Sequence, residues 1–237
     1  MGITKSKSSD PFIDWYKFLR GVLGIYVNTL VRKMQVQGAE LIPKGPKIIV
    51  ANHANLTDAF VLTQIFSEKL HFLIQADIFD IPIMGKLLAL ADQIPTQKGK
   101  GREALGIAQQ WLECGNSVVI FPEGPMNNGG ELFRADVGGD AILATQTNLP
   151  LVPMGFFVPN QFTRLINSKY QNRPAYGSFQ LGGICYIQVG KPWCVAEFNK
   201  LQMARHNLRE TTNQITEYIA ELIDLARKFA GYPPLYK

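Results

Sequence analysis

The stretch Asn52-His53-Ala54-Asn55-Leu56-Thr57-Asp58 places an imidazole and a carboxylate five residues apart, directly after the apolar run Lys47-Ile48-Ile49-Val50-Ala51. Histidine is the side chain whose ordinary pKa lies nearest neutrality, and a carboxylate beside it can fix its tautomer and strengthen it as a base. On a continuous helix two residues five apart point about 140° away from each other. The pair can therefore meet only if the chain turns between them. Asn55 is a turn former, and Thr57 or Asp58 suits the N-cap of a helix through Ala59-Phe60-Val61-Leu62. The expected layout is a buried strand, a short loop with His53, and a helix whose first turn carries Asp58. Taken alone, the same residues also suit a hydrogen-bonded His at a strand end and an ordinary helix cap.

A second segment has the same layout. The β-branched run Ser117-Val118-Val119-Ile120 leads into Phe121-Pro122-Glu123-Gly124-Pro125. Ligands of open α/β sheets gather outside the carboxyl ends of the strands. Glu123 stands at such an end, between a Pro that stiffens the turn and a Gly that permits close backbone approach. Two ends of this kind can converge on one crevice.

The remaining pattern supplies the elements that would hold them. Strands are expected at Ile48–Ala51, His71–Gln75, Ile94–Thr96, Ser117–Phe121, Leu151–Phe157 and Ile184–Val189. Helices are expected at Asp58–Ser67, Met84–Leu90, Arg102–Cys114 (with Gly115 as its stop), Gly139–Thr147 and Leu208–Ala230. This alternation predicts an α/β fold, a single domain over 35–237 with a mixed, largely parallel sheet flanked by helices. Asn160–Gly183 is polar, aromatic and irregular, and reads as a long loop near a site or partner.

The chain of 237 residues is long enough for a substantial core, and 46% hydrophobic content excludes disorder. Its three cysteines, Cys114, Cys185 and Cys194, have no metal spacing, and with three His no structural metal site is expected. They suggest a reducing compartment. The net charge of +5 favours an anionic partner. Without a dense Lys/Arg stripe or a binding motif, nucleic acid is not expected. Residues 1–34 read as an N-terminal amphipathic segment, with Phe12, Trp15, Tyr16, Leu19, Leu23, Tyr26, Val27, Leu30 and Met34 at helical spacing. Its longest uncharged stretch, Gly21 to Val31, is 11 residues, against the roughly 20 needed to span a bilayer. The segment suits either the plane of a membrane surface or packing on the core.

Taken in order, these motifs resemble those of the glycerolipid acyltransferase superfamily, typified by 1-acyl-glycerol-3-phosphate acyltransferases. The H-x-x-x-x-D motif corresponds to His53 through Asp58, and the second motif to Gln93-Ile94-Pro95-Thr96-Gln97-Lys98. F-P-E-G-T-R corresponds to Phe121-Pro122-Glu123-Gly124-Pro125-Met126, and the apolar fourth motif to Leu149-Pro150-Leu151-Val152-Pro153-Met154. A linking segment, Phe133-Arg134-Ala135-Asp136-Val137-Gly138-Gly139, also fits. The resemblance covers roughly residues 35–225.

It implies acyl transfer in phospholipid biosynthesis, from a thioester to a hydroxyl of a lysophosphatidic acid-like acceptor, with His53 as base oriented by Asp58. Glu123, Gly124 and Lys98 are implied to bind substrate, and Pro153 to shape a pocket. Two departures stand out: Pro125-Met126 replaces the family's Thr-Arg, and Lys98 the Arg that ends the second motif. Lys is not equivalent to a bidentate Arg, and Met still less. Lys98, Lys100 and Arg102, at the start of a helix, and Arg134 are the available cations. No bound cofactor is expected; acyl-CoA or acyl-ACP (acyl carrier protein) would serve as donor, and the acyl carrier protein as a possible partner. The expected location is the cytoplasmic face of a membrane, held peripherally or monotopically. Another lysolipid or glycolipid acceptor, a non-catalytic lipid-binding role and a thioesterase remain open.

Overall fold

A computed structural model describes residues 14–124, 126, 132, 138–170, 173–194 and 205–236. Its nine strands are β1 Lys33–Gln37, β2 Ile48–Ala51, β3 Leu70–Gln75, β4 Ile94–Thr96, β5 Ser117–Ile120, β6 Leu151–Phe157, β7 Thr163–Tyr170, β8 Arg173–Gln180 and β9 Ile184–Val189. Six helices accompany them: α1 Trp15–Tyr26, α2 Thr57–Ile65, α3 Met84–Leu90, α4 Gly101–Glu113, α5 Gly139–Thr147 and α6 Arg205–Phe229.

Seven strands form one sheet in the order β1-β9-β6-β2-β5-β3-β4. All neighbours pair parallel except β6 and β9. The central strand β2 is apolar throughout because both its faces are covered. Ile49 and Ala51 face a core layer with Val61, Leu62 and Phe66 of the α2 region. Ile48 and Val50 face a second layer with Ala104, Ala108, Leu112, Leu143, Ile215 and Ile219 from α4, α5 and α6. The sheet is thus a mixed, largely parallel one flanked by helices, as the alternation of segments predicts.

Two expectations fail. The stretch 160–183 is not a loop: β7 and β8 pair antiparallel as a separate two-stranded ribbon, from Thr163↔Gln180 to Tyr170↔Arg173. Pro174 and Gly177 weaken the strand signal there, and a ribbon outside the main sheet has no need of a continuous apolar face. The helical reading also runs too far through Met34. Lys33-Met34-Gln35-Val36-Gln37 alternates polar and apolar residues as an edge strand does, and β1 joins β9 from Lys33. It therefore straddles the 34/35 boundary drawn from the sequence.

Of the two readings of the N-terminal segment, packing on the core is the one seen in α1. Tyr16 and Gly24 are buried against the domain, and the following π-helical turn places Val27 and Val31 in the core. Phe18, Val22 and Ile25 lie on the outside, 51%, 48% and 66% exposed. Among the described residues no helix is long and apolar enough to cross a membrane. Phe12 and residues 1–10 lie outside the described residues.

Candidate active site

β2 and β5 are adjacent and in register, with Val50 opposite Ile120. Their carboxyl ends therefore coincide, and the loops that follow bring His53 beside Phe121 and Glu123. The two rings stack with centroids 4.1 Å apart and planes 11° from parallel. Glu123, buried, accepts the His53 backbone N–H at 2.7 Å. Gly124 takes a φ of +71° and donates its N–H to the Phe121 carbonyl, closing the turn that points Glu123 inward.

Between His53 and Asp58 the chain turns as their spacing requires. The Asn55 carbonyl accepts the Asp58 N–H at 3.1 Å, and Asp58 Oδ2 accepts the Asn55 N–H at 2.7 Å. His53 Nδ1 then lies 3.6 Å from Asp58 Oδ2. This is just beyond hydrogen-bond length, in the range of catalytic pairs that tighten when substrate binds. Nε2, on the opposite side of the ring, is the nitrogen left for a substrate hydroxyl. Burial pushes the Asp58 carboxyl above the ordinary carboxylate value; hydrogen bonding and attraction from His53, then the Asn55 and Ala54 amides, oppose this.

Neither expected N-cap is one. Leu56 occupies that position without a side-chain cap bond. Thr57 Oγ1 instead accepts the Gln180 N–H at 3.1 Å, and Asp58 is used as described. Contacts that the sequence does not show fix the loop. Asn52 exchanges two hydrogen bonds with the Phe156 backbone, at 2.7 and 3.1 Å. Ser178 on β8 donates its hydroxyl to Asn55 Oδ1 at 2.7 Å, and its carbonyl accepts the Leu56 N–H. Asn52 and Asn55 stand beside and within the motif and carry a local signal, whereas Phe156 and Ser178 lie more than a hundred residues away and carry none.

Phe121 also borders a cavity of about 850 Å³. Its apolar wall includes Leu73, Leu105, Ile120 and Ile142, and its rim carries Lys98, Arg102 and Gly124, with no carboxylate among the lining residues. The structure thus gathers His53, Asp58, Glu123, Gly124, Lys98 and Arg102 around one end of the sheet. Lys100 precedes α4 on the exposed loop and does not line the cavity. Pro153 sits within β6, opposite Val50 and away from the lining. Arg134, Pro125 and the segment 133–137 lie outside the described residues.

The acyltransferase family model matches residues 33–156, which contain His53, Asp58, Lys98, Arg102, Glu123 and Gly124. The chain belongs to that family. Its relatives include the 1-acyl-sn-glycerol-3-phosphate acyltransferase of Pseudomonas aeruginosa, 29% identical over 78% of this chain and 70% of the relative. The enzyme of the same name from Saccharomyces cerevisiae is 27% identical over 93% of this chain and 66% of its own length. The lyso-ornithine lipid O-acyltransferase of Pseudomonas aeruginosa is 34% identical over 38% of this chain and 35% of that protein. In fold, the acyltransferase resembles the crystal structure of the 1-acyl-sn-glycerophosphate acyltransferase of Thermotoga maritima. The TM-score is 0.63 at 19% identity, over 87% of this chain and 79% of that one.

Proposed function

We propose that this protein is an O-acyltransferase of phospholipid biosynthesis. In this reading it moves a fatty acyl group from a thioester to a hydroxyl of a lysophosphatidic acid-like acceptor. The observation that carries it is the buried Asp58 carboxyl beside His53 Nδ1, with the His53 ring stacked on Phe121, which lines a cavity together with Lys98 and Arg102. The names of the Pseudomonas and Saccharomyces relatives support the acceptor class.

The chemistry follows from the geometry. An alcohol is too weak an acid to ionise near neutrality, so it needs a base as it attacks. His53 Nε2 takes the hydroxyl proton while the oxygen bonds to the thioester carbonyl carbon. Asp58 orients the ring and stabilises the imidazolium. The tetrahedral intermediate then collapses with loss of the C–S bond, and the imidazolium returns the proton to the departing thiolate. Glu123 supports this step by holding the His53 backbone, and Lys98 and Arg102 attract an anionic headgroup. The donor is a phosphopantetheine thioester, of coenzyme A or of acyl carrier protein. The acyltransferase works from the cytoplasmic face of a membrane, with the outer stripe of α1 against the lipid.

A second reading changes only the acceptor. Met126 stands where the family motif has its arginine, and one relative is named for a lyso-ornithine lipid. A lysolipid without a glycerol phosphate headgroup fits these two observations. Mass spectrometry of products from a mixed pool of donors and acceptors, with and without phosphate, tests both. Acylation confined to lysophosphatidic acid supports the first reading, acylation confined to phosphate-free lysolipids supports the second, and free fatty acid as sole product refutes acyl transfer.

A further inference from the structure

The β7–β8 ribbon has no part in the chemistry above, yet it is bolted to the catalytic loop. At its base the Leu181 N–H meets the Phe162 carbonyl at 2.8 Å, and Phe162 packs on the core. Ser178 and Gln180 hold Asn55, Leu56 and Thr57. Gly177 lies so close to the loop that a Cβ there would come within 2.5 Å of the Leu56 side chain. Tyr26, at the end of α1, donates its hydroxyl to the Gln180 carbonyl at 2.8 Å. The outward stripe of α1 and the ribbon are therefore joined through one residue.

Level with these anchors, opposite Ser178 and Gly177, and one position farther out at Tyr176, the ribbon turns apolar side chains to solvent on both faces. Leu165 and Ile166 are consecutive, hence on opposite faces, and are 53% and 48% exposed. Tyr176 is 58% exposed. The sequence from 160 to 183 carries Arg164, Lys169 and Arg173 and neither Asp nor Glu. An isolated two-stranded ribbon is marginal in water, and exposed clustered apolar groups mark a surface that something covers.

We propose that this ribbon docks the protein on an anionic bilayer and so seats the His53 loop at the lipid surface. Charge complementarity selects the occupant: cations without a single carboxylate match anionic headgroups. Aliphatic and tyrosine side chains on both faces suit the boundary between headgroups and acyl chains. The inference rests on the reading of the acceptor as a lipid, which would reach His53 out of that same surface.

Cosedimentation of the full chain with vesicles tests it, using phosphatidylcholine alone or mixed with phosphatidylglycerol. Wild type is expected to bind the mixed vesicles more tightly. Arg164→Glu should weaken that binding by roughly fivefold or more, the factor for one basic residue at an anionic surface. The double variant L165S/I166S should weaken binding to both kinds of vesicle, with its melting temperature unchanged. Asn167→Cys in a Cys114→Ser/Cys194→Ser background, labelled with an environment-sensitive dye, gives a signal that does not depend on those variants; its emission should rise on vesicle addition. Vesicle binding retained by L165S/I166S, or emission unchanged while the protein cosediments, overturns the proposal. So does loss of binding to acyl carrier protein in these variants with vesicle binding intact, which makes the ribbon a protein-docking surface. A wild type that transfers no acyl group but needs the ribbon to bind vesicles refutes the enzymatic reading and leaves the docking role standing.

Discussion

The catalytic loop at 52–58 and the cationic loop at 97–102 border the same end of the sheet, but they are built in opposite ways. In the first, Asn52, Asn55, Thr57 and Asp58 are all buried; the first three are tied to residues distant in sequence and Asp58 to the Asn55 amide. In the second, Gln97 through Arg102 is polar, rich in glycine and largely exposed, and Gly99 adopts a φ of +85°. Lys100 stands at the N-cap of α4 without a side-chain cap bond. Proton transfer demands a fixed distance, because a misplacement of about 1 Å can cost on the order of 10²-fold in rate. Charge attraction through water does not. In the proposed mechanism the rigid loop carries the chemistry common to any hydroxyl acceptor, and the open one carries what distinguishes acceptors.

Substitutions should separate the two loops by kinetic signature, from the largest effect to the smallest. His53→Ala should lower kcat by about 10²-fold or more with little change in KM, since a positioned general base is lost. Near-full activity in labelled acyl transfer would remove the mechanism. Asp58→Asn should follow closely in kcat, since the ring loses the carboxylate that orients it and stabilises the imidazolium. Near-full activity in Asp58→Asn would leave Asp58 a structural residue only.

Ser178→Ala acts on the rigid loop from outside the motif. It removes one buried hydrogen bond to Asn55, which costs about 1 kcal/mol of stability. The expected result is a roughly tenfold fall in kcat with KM for the acceptor preserved. Lys98→Ala and Arg102→Ala should do the reverse: KM for an anionic acceptor rises by about tenfold at low salt while kcat holds. If those two lower kcat and Ser178→Ala raises KM, the division between the loops is wrong.

Asp140 supplies the contrast for Asp58, as a second fully buried carboxyl on α5, outside the reacting groups. Burial pushes it up to about 6 from the usual 3.8. Between those values the folded state holds its proton and the unfolded state does not, so this group lowers stability as pH rises through that window. Asp140→Asn removes the dependence. The stability of wild type relative to the variant should fall by about 3 kcal/mol between pH 4 and pH 7. Denaturant unfolding at the two pH values measures this, and the rate of acyl transfer should not change.

Much of this site was legible in the residues. The apolar runs at 48–51 and 117–120 are continuous because both faces of β2 and β5 are covered, and that marks them as central strands. Their spacing requires a turn if His53 and Asp58 are to meet, and Asn55 suits one. What was not legible depended on partners remote in sequence. Ser178 holds Asn55 across 123 residues, and Phe156 holds Asn52 across 104. Neither contact leaves a periodic trace. The ribbon at 163–180 was missed because strand signals are read from a buried face, and among its described side chains only those at Ser178 and Gln180, with Gly177, are buried.

By itself, then, the sequence determined the family and the frame of the site: an imidazole and a carboxylate five residues apart, at the end of a buried strand, in an α/β acyltransferase. Local spacing suffices for that, since backbone geometry limits which neighbours can meet. Only the tertiary structure decided that Glu123 and Ser178 brace the catalytic loop, that Lys98 and Arg102 rim the cavity, and that Lys100 and Pro153 do not line it. Those outcomes depend on which strand ends coincide in the sheet, and strand order is set by packing the whole core at once.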